Sequence, residues 1–361
     1  MRRILLPANL TNTFSTAMRI LGSGNRIGLF QIVLNGSALL LFPLDRLLGW
    51  IQNRPIDPRT PCRLPIIFLT GYSRSGTTVI YQALTRVWRE VEYCNNLVIP
   101  FPRAYPLVNS WYRRFTNRRD ASLESFFGRT MGFCGTNDGP ELFQHWFLGD
   151  EMTNRTALSE ESRRLIKTFH VAHEHYLQHP FMIKNCTLYL HYSQLAEVLP
   201  NAHFIFIRRN PANIIDSIIR SREFIQGDKR KSWEVSIHRQ PGEELVNDPI
   251  TEIALNVRHS LALTESFRDS PHGKQLSIID YEAFCADPAG CVESLTRTIF
   301  QRSLDDAGRQ SLPDALPPQQ TLRSSPADQA TIHATVARWF PDDQTSRQQG
   351  APSQHEEIHP S

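Results

Sequence analysis

Residues 66–84, Ile-Ile-Phe-Leu-Thr-Gly-Tyr-Ser-Arg-Ser-Gly-Thr-Thr-Val-Ile-Tyr-Gln-Ala-Leu, restrict the fold of this chain more than any other stretch. Ile66 to Leu69 are consecutive apolar, strand-forming residues, and the polar run from Thr70 to Ser75, bracketed by Gly71 and Gly76, breaks them. From Thr77 onward, Val79, Ile80, Ala83, Leu84, Val87 and Trp88 recur at helical spacing, so one stripe of a helix faces a core. The pattern predicts a buried strand, a tight glycine turn and a helix that starts at the turn. The first amides of such a helix lack intrahelical partners and lie at the positive end of its dipole, so the turn can hold a phosphate-like anion.

Gly71-x4-Gly76 is the spacing of a nucleotide-phosphate loop, yet Thr77 stands where such a loop carries its lysine, with Thr78 after it. A nucleoside triphosphatase needs that lysine on the outer phosphates, and a metal held by the next hydroxyl and by an acid on a neighbouring strand. Here the cation comes earlier, at Arg74, and the hydroxyls of Thr77 and Thr78 are left for non-bridging oxygens with no metal required.

Further strands alternate with helices. Phe181 to Lys184 reads as a short strand, Leu188 to Leu199 as a helix stopped by Pro200, and His203 to Arg208 as a strand running into Arg209-Asn210-Pro211 and a helix through Ile214, Ile215, Ile218 and Ile219. Thr251 to Phe267 is an amphipathic helix, Leu276 to Asp280 a strand, and Pro288 to Phe300 a helix. This alternation predicts an α/β class, a three-layer, P-loop-like fold with a central parallel sheet flanked by helices, whose ligands bind beyond the carboxyl ends of the strands. The 70–78 turn, Lys184 and Arg209 all fall at such ends.

The remaining segments are extensions. From Ile27 to Leu44 no residue is charged, and Arg2, Arg3, Arg19 and Arg26 precede the stretch, but Gln31, Asn35, Gly36, Ser37 and Pro43 interrupt it. Residues 1–60 are therefore expected to form a helical hairpin packed on the domain, with residues 27–44 in peripheral contact with a membrane, rather than a span. Pro55, Pro58, Pro61 and Pro65 mark a linker, and a core domain is expected over 61–302. Residues 92–120, rich in arginine and aromatics, suit a cap over an anionic or ring-bearing partner, or a basic helix face with its aromatics in the core. Residues 223–250 read as a polar lid, and 303–361 as a largely disordered tail with a helix around 329–340.

Composition narrows the function. A net charge of +3 on 361 residues makes no general case for nucleic acid. The six cysteines show no Cys-x-x-Cys and no zinc spacing, which indicates reduced thiols and a cytoplasmic setting. His175 and His179 are four apart but have no third ligand beside them, so charge at a helix end is the simpler reading of the histidines at 170–179. The run from Gly132 into Pro140 is a glycine-rich loop opening a helix, where Glu141 is either a helix-end acid or a base at the mouth of a site.

Four stretches, in order, resemble the sulfotransferases that use 3′-phosphoadenosine-5′-phosphosulfate, in particular the bacterial and Golgi-type branch whose loop reads Arg-Ser-Gly-Thr-Thr. Gly71 to Thr78 resembles that family's 5′-phosphosulfate loop, and Lys184-Asn185 its central strand end. Leu199 to Pro211 with Ser217 resembles its 3′-phosphate motif, and Ile279 to Glu282 with Asp287-Pro288 its later tyrosine-glutamate motif. The resemblance implies that Ser73, Arg74, Ser75, Gly76, Thr77 and Thr78 bind the donor's phosphosulfate, that Arg209 and Ser217 bind its 3′-phosphate, and that Lys184 and Arg74 act in catalysis, without a metal. It also implies an acceptor hydroxyl on a small molecule or glycan. Two departures stand out: Asn210 replaces the usual aspartate, and Glu92-Tyr-Cys-Asn-Asn96 replaces the strand that carries the family's glutamate base. Glu141 is then the first candidate for the base, Glu92 the second, with His145 and His170 behind them. A phosphate-loop kinase and a non-catalytic nucleotide-binding relative are the alternatives.

Overall fold

A computed structural model describes residues 13–116, 124–126, 128–149, 157–234, 248–317 and 321–341. Its centre is a sheet of five parallel strands: β1 (Ile66–Thr70), β2 (Glu92–Tyr93), β3 (Phe181–Lys184), β4 (Ala202–Arg208) and β5 (Leu276–Asp280), in the order β2-β3-β1-β4-β5. Apolar runs suit this position because both faces of the sheet are covered. Along β1 the side chains alternate: Ile66 and Phe68 join a core with the helices Glu160–Leu177, Pro211–Gln226 and Pro249–Arg268, while Ile67 and Leu69 join a second core with Thr77–Val87 and Pro288–Phe300. The three-layer expectation holds.

The N-terminal region forms the helices Thr13–Gly22 and Arg26–Asn53, and the second runs straight through Pro43. Its inward side buries Leu34 in the main core and is otherwise anchored on the domain through polar groups. Gln31 Nε2 donates to Asn96 Oδ1 and the Thr130 carbonyl, and Asp45 accepts from the Arg103 and Ala104 amides. Gln52 Oε1 accepts from the Leu107 amide. The helix is thus pinned along its whole length.

The C-terminal tail carries the helix expected around 329–340. Its described portion contains the helices Asp306–Gln310 and Pro326–Trp339, and Ile332 and Val336 are buried in the main core. The apolar stripe of Pro326–Trp339 supplies the burial that the polar average conceals. The lid expected over 223–250 includes residues 235–247, which lie outside those described. Its described part is anchored: Arg222 Nε donates to Glu234 Oε1 at 2.9 Å, and Lys229 Nζ lies 2.6 Å from Asp328 Oδ1. Arg2, Arg3, Arg118, Arg119 and residues 342–361 also lie outside the described residues.

Candidate active site

Register gathers the site. Leu69 pairs with Lys184 and Ile205, Thr70 with Phe206, and Arg208 with Asp280, so β1, β3, β4 and β5 end at one edge. There the chain leaves β1 through a turn closed by the Ser75 amide donating to the Tyr72 carbonyl at 3.1 Å. A side chain at Gly71 would meet Ser75 Oγ at 2.5 Å, and at Gly76, where φ is +93°, it would meet the Tyr281 ring at 2.2 Å. Both positions therefore need glycine. Helix Thr77–Val87 begins at Gly76 and no side chain caps it, so its first amides face the loop as donors.

Two groups of polar side chains flank these amides. On one side Arg74, itself in the left-handed region at φ +69°, donates from Nε to Ser217 Oγ at 3.0 Å. Arg209 Nη1 donates to the Arg74 carbonyl at 2.8 Å and its guanidinium stacks 4.6 Å from the Tyr281 ring. Burial, with Arg209 and Arg220 as like-charged neighbours, pulls the Arg74 guanidinium down to about 10. Cations crowded in this way fit a phosphate dianion, which would relieve their repulsion. Asp216, beside Ser217, accepts from the Arg323 and Ser324 amides, so the C-terminal segment closes this wall.

On the other side Lys184, 2 % exposed, donates from Nζ to Thr78 Oγ1 at 3.0 Å and lies 2.5 Å from Asp138 Oδ1. Asn185 Nδ2 fixes this loop by donating to the Asp138 carbonyl at 3.0 Å. Glu141 stands one helical turn on, at the start of Pro140–Trp146, with Oε2 buried and without a hydrogen-bond partner. Burial raises its carboxyl above the usual range, opposed by Arg129 and reinforced by Asp138. Asp138 and Arg220 were missed from sequence, and Tyr281, read there as part of the tyrosine-glutamate motif, was given no role in the site. Asp138 sits in the same glycine-rich loop as Glu141, and only the neighbouring strand end reveals its partner.

The expected site residues therefore divide. Ser73, Arg74, Ser75, Gly76, Thr77, Thr78, Lys184, Arg209 and Ser217 share one edge, and Arg74 reaches Ser217 rather than Lys184. Asn210 keeps the capping role of an aspartate: its Oδ1 accepts from the Ala212 amide at 2.9 Å, so only the charge is lost.

Glu92 is not at this edge. It pairs with Phe181, level with the first residue of β1, and its Oε2 is 2.9 Å from Arg113 Nη2. The arginine-rich stretch there is the helix Tyr105–Phe115 with Tyr105 in the core, not a cap over the strand ends. Arg89, Arg113 and Arg114 instead line a cavity of about 460 Å³ at the opposite edge. His170 is packed among the rings of Phe68, Trp146 and Phe169, which pushes it down to about 3, so it is a neutral core residue rather than a helix-end charge. His145 is likewise lowered to about 4 by burial and by Arg103.

Asn95 and Asn96 are buried and structural. Asn95 Nδ2 donates to Asn109 Oδ1, and Asn96 Nδ2 donates to the Thr130 and Gly132 carbonyls. No group of three or more potential metal ligands occurs among the described residues.

A model of the sulfotransferase family matches residues 65–300. Among solved structures the fold is similar to sulfotransferase STF1 from Mycobacterium tuberculosis, at 17% identity and a TM-score of 0.56 over 86% of this chain and 85% of that one. It is also similar to STF9 from Mycobacterium avium, at 14% identity and a TM-score of 0.55 over 92% and 97% of the two chains. No curated protein matches the chain. The family match spans more than half of the chain, from the linker before β1 to the helix after β5, and the chain belongs to the sulfotransferase family.

Proposed function

We propose that this sulfotransferase uses 3′-phosphoadenosine-5′-phosphosulfate as donor and a hydroxyl of a carbohydrate-like acceptor, without a metal, through a domain spanning 61–302. The observation that carries the reading is the pair of cationic groups on either side of one uncapped helix N-terminus: Arg74, Arg209 and Ser217 on one side, Lys184 and Thr78 on the other. Two anion pockets joined by a run of amides suit a ligand with separate 3′ and 5′ phosphates. The six free cysteines are consistent with a reducing, cytoplasmic setting, and residues 27–44 with peripheral membrane contact.

The donor supplies the sulfuryl group. Amides 73–78 and the Thr77 and Thr78 hydroxyls bind the 5′-phosphosulfate, while Arg74, Arg209 and Ser217 hold the 3′-phosphate. The acceptor oxygen attacks sulfur, the bond from sulfur to the bridging phosphate oxygen breaks, and Lys184 offsets the charge that grows on the leaving phosphate. Glu141 takes the acceptor's proton, its raised carboxyl keeping it basic enough to do so. A second assignment places Asp138 in that role, favoured by its 2.5 Å contact with Lys184. That contact already engages the Asp138 carboxylate, whereas Glu141 Oε2 has no hydrogen-bond partner, so Glu141 is preferred.

Calorimetric titration with 3′,5′-adenosine bisphosphate in chelator tests the donor site. Micromolar binding is expected, lost in Arg209→Ala, whereas binding of magnesium ATP alone would refute it in favour of a kinase. Labelled sulfate transfer should fall by roughly a hundredfold or more in Lys184→Met. Bisphosphate binding without transfer to any acceptor would indicate a non-catalytic relative.

A further inference from the structure

The helix Arg26–Asn53 presents to solvent a face that water does not favour. Leu29, Val33, Leu40, Leu44, Leu47 and Ile51 recur at helical spacing and are all exposed, Leu40 at 83% and Val33 at 65%. The stripe runs for about 33 Å at 1.5 Å per residue. Its one acid, Asp45, is buried against Arg103, whereas Arg26, Arg46 and Arg54 are exposed, and Arg54 stacks 3.7 Å from the exposed Trp50. In the middle, Asn35 Nδ2 donates to the Gln31 carbonyl and the Ser37 hydroxyl to the Leu34 carbonyl, so these polar groups are satisfied within the helix. The helix is long and apolar enough to cross a membrane, but crossing would strip Gln31, Asp45 and Gln52 of their partners in the domain.

The opposite, buried side of the helix leads toward the site. Phe126 lies over Gly28, Gly128 lies beside Thr78 Oγ1, and the Gln31 side chain meets Asn96, which in turn accepts from Asn137 next to Asp138. In the loop that continues to Asp138, Met131 and Phe133 are each 48% exposed, with the Phe133 ring against Phe30.

We propose that this helix lies in the plane of an anionic bilayer surface and that the acceptor hydroxyl belongs to the sugar headgroup of a lipid in that surface, admitted over Met131 and Phe133. The acceptor half rests on the sulfuryl-transfer reading above. Charge favours a bilayer over a second copy of the chain. The outward face carries cations and no acid, so a copy offers it only like charge, whereas anionic headgroups complement it.

The test uses the full chain and a triple variant, Val33→Glu, Leu40→Glu and Leu47→Glu, at exposed positions outside the donor site. Wild type is expected to sediment with phosphatidylglycerol–phosphatidylcholine vesicles, less at high salt. The variant should lose binding by roughly tenfold or more per replaced side chain while binding 3′,5′-adenosine bisphosphate as before. In vesicles carrying the host cell's total glycolipid, labelled sulfate should enter chloroform-soluble product, and the variant should lose this activity. The same glycolipid deacylated to free headgroups should be labelled about tenfold less or weaker still. Wild type left in the supernatant overturns the bilayer contact, as does a dimer that the variant dissociates, or a variant that binds vesicles normally. Labelling of free headgroups equal to that of the lipid, or of neither, overturns the lipid acceptor. Vesicle binding with no bisphosphate binding would instead sink the sulfuryl-transfer reading and leave the bilayer contact standing.

Discussion

Gly76→Ala separates backbone strain from crowding at the donor loop. At φ +93° an alanine is forced into a region that costs an L-residue about 1–2 kcal/mol. Its Cβ would also sit 2.2 Å from Cδ2 and Cε2 of Tyr281, and relieving that overlap costs about 1–3 kcal/mol more. The expected loss is roughly 2–5 kcal/mol, a sizeable share of a domain's stability. The displaced ring is the one on which Arg209 stacks, so affinity for 3′,5′-adenosine bisphosphate should also fall by roughly tenfold or more. Urea unfolding and calorimetric titration of Gly76→Ala, Tyr281→Ala and the double variant give the numbers. Removing the ring removes the overlap but not the φ penalty, so the double variant should recover about 1–3 kcal/mol relative to the sum of the singles. A single variant within about 0.5 kcal/mol of wild type, or strictly additive losses, would refute the packing argument.

Other consequences can be measured directly. Glu141→Gln should lower turnover by roughly a hundredfold or more while leaving bisphosphate binding intact; normal turnover would end its role as base. Because the native carboxyl is raised above its reference of 4.5, its contribution to stability is fully present below that value and is lost as pH rises through the native one. The glutamine variant should therefore be at least as stable as wild type near neutral pH and gain nothing in acid. Arg222, 0% exposed and paired with Glu234 and Glu252, should cost about 3–5 kcal/mol when changed to alanine, and changing Arg222 and Glu234 together to leucine should recover most of it. His145 and His203, lowered to about 4, and His170, lowered to about 3, resist protonation in the native state. Stability present above 6.5 should thus be lost as pH falls from there toward those values, and His170→Phe should reduce the slope; a flat profile in urea would contradict this.

Much of the donor edge was legible because each part is local. Gly71 and Gly76 flank a turn that few other residues can make, and the apolar runs of β1, β3 and β4 read as strands without knowledge of their neighbours. Parallel order then followed from alternation alone, since a strand, a crossover helix and a parallel strand place every carboxyl end on one edge. The acids were not legible in this way. Glu92 looked like a candidate from its place after the first helix, but the register sets it at the amino end of the sheet, on Arg113. Asp138 attracted no notice because its meaning comes from Lys184, 46 positions away in the chain and 2.5 Å away in space. The tail helix was legible from its pattern, but the burial of Ile332 and Val336 was not, because it depends on the surface they meet.

The sequence alone determined the elements, the anion-binding turn and the class of fold, because propensity, periodicity and glycine geometry act within a few residues. Tertiary structure decided which charges meet. It turned Arg74 toward Ser217 rather than Lys184, and it neutralised the buried histidines. It also placed the inward side of helix Arg26–Asn53 on the domain, leaving the apolar side free. Those outcomes depend on desolvation and on distances between segments far apart in the chain, quantities that no local pattern encodes.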